Sequence, residues 1–257
     1  MAFVKKHLWR VLPLFVILIY IGLVFVCAKI IDDDVLAQMI ADVITIVGGG
    51  FLYVKFLKDR DIEPFKPQAW FWMLFVCYII LAWVVSQATG LMILNHVKNT
   101  GFDEYAKLAD SNIAMYGVLS VFIAPFAEEI VFRGLVYTFW RKHLTAFASA
   151  CFSAILFSFL HGTLVHLPIA FLVGLISAYM YELSGKLRYA ILVHFLFNAL
   201  SASLVIPVAE WAISIPFCVV TYVSFLVCLC FMWKYIDKMR AYVITEHLLD
   251  KINKKPH

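Results

Sequence analysis

Three short strings place strongly polar side chains at helical spacing inside apolar segments. They are Glu128-Glu129-x-x-x-Arg133, Phe157-x-x-x-His161 and His194-x-x-x-Asn198. An ionisable side chain near the middle of a bilayer costs several kcal/mol, so it is normally paired, directed into the helical bundle and functional. The strings therefore predict one buried polar site shared by three helices.

The first string supplies an acid that is paired and an acid that is not. Glu129 and Arg133 are four residues apart, so on a helix they are neighbours in the favoured order of acid before base. Glu128 is rotated by about 100° from Glu129 around the helix. Because Arg133 neutralises one acid only, Glu128 is the acid available as a general base toward water.

The other two strings supply imidazoles and an amide. His194 and Asn198 share one helix face. An imidazole there can orient water or bind a metal, and the amide can donate to a developing oxyanion. His161 adds a second imidazole, and Phe157 is expected to shape the wall of the site. One carboxylate, two histidines and an amide are sufficient for peptide hydrolysis by an activated water.

The composition places this site in a membrane protein. Of the 257 residues, 64% are hydrophobic and 15% are charged, and the mean hydropathy is +0.90. An ordinary soluble domain carries roughly 25% charged residues. Crossing ~30 Å of hydrocarbon takes ~20 apolar residues. We therefore predict an all-α, polytopic membrane protein with about eight transmembrane helices, at 8–30, 35–57, 68–94, 113–127 (continuing as a polar stretch to about 140), 145–161, 166–183, 189–207 and 212–233.

The distribution of basic residues predicts the orientation. Of the 21 Lys and Arg residues, 17 fall on one side of the predicted helices and only Lys29, Lys98 and Lys107 on the other, with Arg133 inside a helix. Lys and Arg favour the cytoplasmic side. We expect a multi-pass protein of the cell membrane, bacterial in type, with both termini cytoplasmic. The predicted organisation is one integral-membrane domain over 1–257, a core motif region at 113–205 and a basic cytoplasmic tail at 234–257.

Charge and cysteine usage exclude other classes of protein. The net charge of +4 is spread over loops and a tail, whereas nucleic-acid binding calls for a clustered basic face. The expected partners are therefore the lipid bilayer and a peptide or membrane-protein substrate. The six cysteines lie in apolar segments without metal-ribbon spacing and are interpreted as buried apolar residues. Gly48-Gly49-Gly50 predicts close helix packing, and Asp42 in the same segment predicts a buried structural partner.

The three strings closely resemble the signature motifs of the CAAX-protease and bacteriocin-processing family, also called CPBP or Abi, which includes the type II CAAX prenyl endopeptidases. The resemblance covers residues 128–198 and implies an intramembrane metalloprotease-like endopeptidase. It implies that Glu128 activates the water, that His161 helps to hold it, and that His194 with Asn198 stabilises the oxyanion. Residues that support the site would be Glu129, Arg133 and Phe157.

Two alternatives stay open at the level of sequence. Glu128, His161 and His194 can form a ligand set for a divalent metal such as zinc, or the same groups can bind water without a metal. The protein is expected to hydrolyse a membrane-associated peptide or a prenylated-like protein near the cytoplasmic face, in bacteriocin self-immunity or peptide maturation. The alternative function is a non-proteolytic regulator or immunity protein that binds a membrane partner such as a sensor kinase or a toxin.

The predicted depths of the two histidines conflict. A helix starting at Lys142 places His161 ~28 Å deep, whereas His194 lies ~9 Å from Arg188 at 1.5 Å per residue. These side chains meet only if one helix is displaced or irregular. We predict that residues 143–150 run along the membrane interface, and a separation of the two side chains above about 12 Å would remove the shared site.

Overall fold

The computed structural model describes residues 2–57, 69–203, 210–239 and 241. Within them the long elements are all helical, with one 3₁₀ turn at Glu210–Ile213. Most of the predicted tail at 234–257 lies outside the described residues. The helices are α1 (Ala2–Ile30), α2 (Asp34–Phe56), α3 (Ala69–His96), α4 (Phe102–Ser111), α5 (Ile113–Arg141), α6 (Ala146–Leu160), α7 (His166–Ser184), α8 (Leu187–Ser203) and α9 (Ile215–Lys234).

The predicted all-α membrane architecture is confirmed. Helices α1, α2, α3, α5, α7 and α9 are long and apolar enough to cross a membrane. The predictions for 145–161 and 189–207 correspond to shorter apolar helices of 15 and 17 residues, α6 and α8. At 1.5 Å per residue these helices measure roughly 22 and 25 Å, less than the ~30 Å hydrocarbon core. They are the two helices that carry the histidine motifs.

Helix α7 forms the centre of the bundle and contacts α3, α6, α8 and α9. Every residue from Leu172 to Ser184 is buried. The helix ends at Gly185, which adopts φ +65°, a left-handed conformation that glycine reaches without strain. Only two residues separate α7 from α8, so these two helices run antiparallel, and α7 contacts both α6 and α8, the helices that carry the second and third motifs.

Helix α6 resolves the depth conflict in a different way from the prediction. Thr145 caps its first turn by accepting a hydrogen bond from the backbone N–H of Ala148 at 3.2 Å. Residues 146–150 are therefore the first turns of the same continuous helix that carries Phe157, and the prediction of a separate interfacial segment is wrong for them. His161 lies ~22 Å from the start of α6, whereas His194 lies ~10 Å along α8. The His161 imidazole is directed back onto Phe157, one turn earlier, which shortens the offset of roughly 12 Å between the two side chains.

Helix α5 is irregular around the paired glutamates. It is π-helical at Leu119–Ile123 and again at Ile130–Tyr137, on either side of the α-helical turn Ala124–Glu129. Pro125 has no backbone N–H and cannot complete regular helical bonding there. π-Helical stretches are rare and are frequent at functional sites.

Side chains satisfy carbonyls of both π-helical stretches. The Asn198 amide donates to the Ser120 carbonyl at 2.8 Å. The hydroxyl groups of Ser153 and Thr138 donate to the carbonyls of Phe132 and Arg133, each at 2.9 Å. Because buried backbone carbonyls need partners, these contacts stabilise the irregular helix. Two of the three donors, Asn198 and Ser153, lie on α8 and α6, the helices that bear the histidine motifs. The irregular conformation of α5 is therefore stabilised by these two helices.

Glycines allow the helices around α5 to approach closely. A Cβ atom on Gly49 would lie 3.1 Å from Ile130 Cγ2, which confirms close helix packing for the middle glycine of the predicted triplet. On Gly174 it would lie 2.8 Å from the Ala154 Cβ and 3.0 Å from the Ala154 Cα. Helices α6 and α7 are therefore in backbone contact next to the candidate site.

The cysteines divide into two groups. Cys27 and Cys218 are buried and Cys151 is partly buried, as the sequence predicted. Cys77, Cys228 and Cys230 are instead exposed on α3 and α9. The prediction of burial was wrong for these three because an apolar helix can direct the same small side chain toward lipid as easily as toward the bundle.

Candidate active site

The imidazole of His194 joins the two glutamates. Its Nδ1 lies 3.0 Å from Glu129 Oε1 and its Nε2 lies 3.6 Å from Glu128 Oε2. An ionised carboxylate only accepts hydrogen bonds, so Nδ1 carries the proton that is donated to Glu129. The lone pair of Nε2 is then directed toward Glu128, and Glu129 fixes the tautomer and the orientation of the ring.

The predicted pair of Glu129 and Arg133 is present in the structure. Nη1 of Arg133 lies 3.0 Å from Glu129 Oε1, and both side chains are fully buried. The contact is an ion pair without the alignment of a hydrogen bond, and no hydrogen-bond partner of the guanidinium is found among the described residues. The guanidinium carbon also lies 4.7 Å from the centroid of the Phe157 ring. Arg133 is therefore held by charge and by stacking on an aromatic face.

Phe157 is the shared wall of the site. Its ring centroid lies 4.7 Å from that of His161 and 5.4 Å from that of His194, in edge-to-face contacts. The two imidazoles are therefore separated by no more than the sum of these distances, which is below 12 Å. The separation that would have removed the shared site is therefore not present, and Phe157 contacts both imidazoles.

His161 presents a free lone pair. Its Nδ1 lies 2.9 Å from the backbone carbonyl of Phe157. Because a carbonyl can only accept, Nδ1 carries the proton and Nε2 is left as an acceptor. No hydrogen bond or ion pair joins His161 to Glu128 or Glu129 in the described part of the chain. This imidazole thus lies beside the carboxylates, separated from them by the contacts of Phe157.

Glu128 is the reachable member of the acid pair. Its side chain is 19% exposed, whereas that of Glu129 is fully buried. A water hydrogen-bonded to both Glu128 Oε2 and His194 Nε2 would lie about 2.8–3.0 Å from each, and their 3.6 Å separation permits this. The sequence-based division between a paired acid and an available acid agrees with this arrangement.

The Asn198 side-chain amide uses one of its two N–H donors on a backbone carbonyl. One hydrogen of its Nδ2 is donated to the Ser120 carbonyl, which leaves the second hydrogen and Oδ1 for other contacts. The site therefore includes the π-helical stretch at Leu119–Ile123, which sequence reasoning missed. The only local signal was Pro125, whose position shortly after this stretch breaks regular helical bonding.

A second buried carboxylate lies next to the first motif. Asp42 on α2 is fully buried, and its Oδ1 accepts hydrogen bonds from the Tyr20 hydroxyl at 2.9 Å and from Gln38 Nε2 at 3.0 Å. Helix α2 packs against Ala124–Glu129, and Asp42 is an electrostatic neighbour of Glu128. The expected structural partners of Asp42 thus exist. Gln38 was detectable from its spacing of four residues, but Tyr20 was not.

The side chains of the site are of the types that bind metals, but they are not arranged as a set of metal ligands. Each histidine donates through Nδ1 to a carboxylate or carbonyl and leaves Nε2 free, which is usual for metal ligands. In the described ranges, however, no group of three or more His, Cys, Asp or Glu side chains is positioned to hold a metal ion. The set Glu128, His161 and His194 therefore does not fit a metal as arranged, and the chemistry below is derived from the protein's own groups.

Comparison with known proteins finds one family match, and it covers the part of the chain that contains this site. Residues 110–200 match the family described as Type II CAAX prenyl endopeptidase Rce1-like. The match covers α5 to α8 and includes all three polar motifs. No curated protein and no solved structure matches the chain.

Proposed function

We propose that this protein is an intramembrane endopeptidase, because residues 110–200 match the family described as Type II CAAX prenyl endopeptidase Rce1-like. Its substrate would be a peptide or protein segment held at or within the membrane. The observation that supports this most directly is the contact of one imidazole with both glutamates, at 3.0 and 3.6 Å. That contact places an oriented nitrogen beside the one reachable carboxylate.

The first step is activation of water by Glu128. A water between Glu128 Oε2 and His194 Nε2 gives one proton to the carboxylate as its oxygen attacks the carbonyl carbon of the substrate. Its other hydrogen is held by the Nε2 lone pair, which fixes the direction of attack. Glu129 contributes by holding Nδ1, and Arg133 supplies the opposite charge beside Glu129 in a buried environment.

The second step is collapse of the tetrahedral intermediate. The second hydrogen of Asn198 Nδ2 is the candidate donor to the oxyanion, since the first is bound to Ser120. When the C–N bond breaks, the protonated Glu128 returns its proton to the leaving nitrogen, so the carboxylate is regenerated. His161 assists with its Nε2 as an acceptor for a substrate N–H.

The test replaces Glu128 by Gln, which keeps the shape and removes the base. Peptides from membranes and medium are compared by mass spectrometry between cells that express the wild type and cells that express Glu128→Gln. Fragments that arise from one cleavage site should be present with the wild type and lost in the variant, while the intact precursor accumulates. A general base contributes typically about 10²–10⁴-fold to the rate.

Glu182→Gln is the matched control. Glu182 is also a buried glutamate of the family segment, but its contacts are with Tyr137 and Arg141, away from His194. At equal abundance this variant should retain cleavage. Identical peptides from the wild type and Glu128→Gln, together with full biological function of Glu128→Gln, would contradict the endopeptidase and favour a non-proteolytic regulator or immunity protein.

A further inference from the structure

The proposed general base Glu128 accepts no hydrogen bond from the described residues. Its one polar contact with them is His194 Nε2 at 3.6 Å, which is longer than a hydrogen bond. Glu129, by contrast, lies 3.0 Å from His194 Nδ1 and 3.0 Å from Arg133 Nη1. A general base acts efficiently only when it is held toward the water that it deprotonates. The contacts within the family segment therefore hold Glu129 in place but do not fix the carboxylate of Glu128.

Asp42 on α2 is held firmly through one of its two carboxylate oxygens. Its side chain is fully buried, and Oδ1 accepts hydrogen bonds from the Tyr20 hydroxyl at 2.9 Å and from Gln38 Nε2 at 3.0 Å. Oδ2 has no hydrogen-bond partner among the described residues. A buried polar atom without a partner costs free energy, and such atoms are commonly bound by an ordered water. Asp42 is therefore an immobilised carboxylate with one oxygen available to a water.

The carboxylates of Asp42 and Glu128 are neighbours across the contact of α2 with α5. Helix α2 packs against the turn Ala124–Glu129 and against the π-helical stretches on both sides of it. Asp42 and Tyr20 each interact electrostatically with Glu128. Arg133 is a further electrostatic neighbour of Glu128 and offsets part of the repulsion between the two acids. The two carboxylates thus share one electrostatic environment.

We propose that Asp42 is a positioning residue of the hydrolytic site and that it acts through a bound water. This water donates one hydrogen to Asp42 Oδ2 and the other to the carboxylate of Glu128. A water has two donor hydrogens and ionised carboxylates only accept, so one molecule satisfies both groups. It is distinct from the nucleophilic water, which lies between Glu128 Oε2 and His194 Nε2. The bridge holds Glu128 in the orientation that directs Oε2 at the nucleophile.

The inference rests on the proposed function, because it assigns a partner to the proposed general base. It adds a part of the chain that the family match does not contain. Asp42, Tyr20 and Gln38 lie on α1 and α2, outside residues 110–200. The three polar motifs alone would supply the acid and the imidazole without the group that holds the acid. Helices α1 and α2 therefore contribute to the reaction as well as to the membrane-embedded bundle.

Asp42→Asn tests the second oxygen of this carboxylate alone. The Asn side chain keeps one oxygen to accept from Tyr20 and Gln38, and it replaces Oδ2 by an NH₂ group, which cannot accept. The assay uses the purified full-length protein and, as substrate, the precursor that accumulates in cells expressing Glu128→Gln. We expect kcat to fall by about 10- to 100-fold, because a small displacement of a catalytic group can cost that much. KM and the melting temperature should stay near the wild-type values.

Tyr20→Phe is the matched structural control. It removes a donor to Asp42 Oδ1 and leaves Oδ2 unchanged. This variant should lower the melting temperature but reduce kcat less than Asp42→Asn does. A wild-type kcat in Asp42→Asn, or equal losses of kcat in the two variants, would overturn the inference and leave Asp42 with a structural role only.

Infrared spectroscopy tests the bridge without any need for activity. The difference spectrum between the wild type and Glu128→Gln isolates the carboxyl bands of Glu128, and the same difference is recorded in proteins that also carry Asp42→Asn or Glu182→Gln. The bands should shift with Asp42→Asn and stay unchanged with Glu182→Gln. Unchanged bands with Asp42→Asn would overturn the bridge.

The two measurements separate the inference from the proposed function. Cleavage that persists in Glu128→Gln would contradict the endopeptidase, while the infrared shift would still decide whether Asp42 holds Glu128. Loss of cleavage in Glu128→Gln with full cleavage in Asp42→Asn would contradict only the role of Asp42. If Asp42→Asn does not fold, Asp42→Ser takes its place in both measurements, because its single hydroxyl can accept from Tyr20 and no second oxygen is present.

Discussion

The segment from α5 to α8, here called the inner segment, and the helices around it, here called the periphery, are similarly apolar, but their side chains face different surroundings. Of the apolar stretch of α7, 78% is buried within the protein, against 22% for α1, 28% for α2 and 17% for α9. The peripheral helices therefore direct most of their side chains outward, where lipid is the expected solvent. In the inner segment Glu129, Arg133 and His194 contact one another, and in the periphery Asp42 is held by Tyr20 and Gln38.

The largest effect is expected from breaking the buried ion pair of the inner segment. Glu129→Ala leaves the Arg133 charge buried without a partner and removes the acceptor of His194 Nδ1. Losing one member of a buried pair destabilises a protein by about 3–5 kcal/mol. The loss is measured as a lower free energy of unfolding in detergent, together with loss of cleavage. Glu104→Ala on the exposed face of α4 is the control, and equal losses in both variants would refute the difference between regions.

A smaller effect is expected from a steric change in the same region. Gly174→Ala places its Cβ against the Cβ and backbone Cα of Ala154, and a backbone atom cannot move by a change of rotamer. Overpacking typically costs about 1–3 kcal/mol, seen as a lower melting temperature. Gly48→Ala in the peripheral helix α2 is the matched control, because a Cβ there meets nothing within 4 Å. If the two variants melted alike, close contact of α6 and α7 would not limit stability.

The polar cluster of the periphery should respond less than the ion pair. Asp42→Ala removes the acceptor of the Tyr20 hydroxyl and of Gln38 while leaving both donors in place. Burying donors without a partner costs about 1–3 kcal/mol. Asp42→Asn keeps an acceptor oxygen and should restore most of the stability. A melting temperature of Asp42→Asn as low as that of Asp42→Ala would mean that charge, not hydrogen bonding, sustains this cluster.

The smallest effect is expected on the outward face of the periphery. Val47 on α2 is 70% exposed and has no polar role. Val47→Leu should change stability by less than about 0.5 kcal/mol, as is usual for surface substitutions away from special features. The measurement is the melting temperature in detergent or lipid. A clear destabilisation would indicate that this face is covered by protein and not by lipid.

Sequence reasoning predicted the residues of the site better than the path of the chain. The pairing of Glu129 with Arg133 followed from helical spacing alone, and the structure shows the two in contact at 3.0 Å. The link from His194 to Glu129 spans 65 residues, and no local pattern contains it. The close approach of α6 and α7 at Gly174 and Ala154 is likewise a property of packing that no local sequence pattern contains.

The π-helical stretch at Leu119–Ile123 has a consequence for the order in which the protein is made. Two residues of α8 contact α5: Asn198 donates a hydrogen bond to the Ser120 carbonyl, and His194 donates one to the Glu129 carboxylate. Helix α5 is synthesised before α8. During synthesis the chain therefore contains Glu128 before it contains His194 and Asn198, the residues that contact α5 from α8. A chain that has reached only α7 holds Glu128 without a competent site. Insertion of α8 is thus the step at which the proposed hydrolytic site is assembled in the membrane.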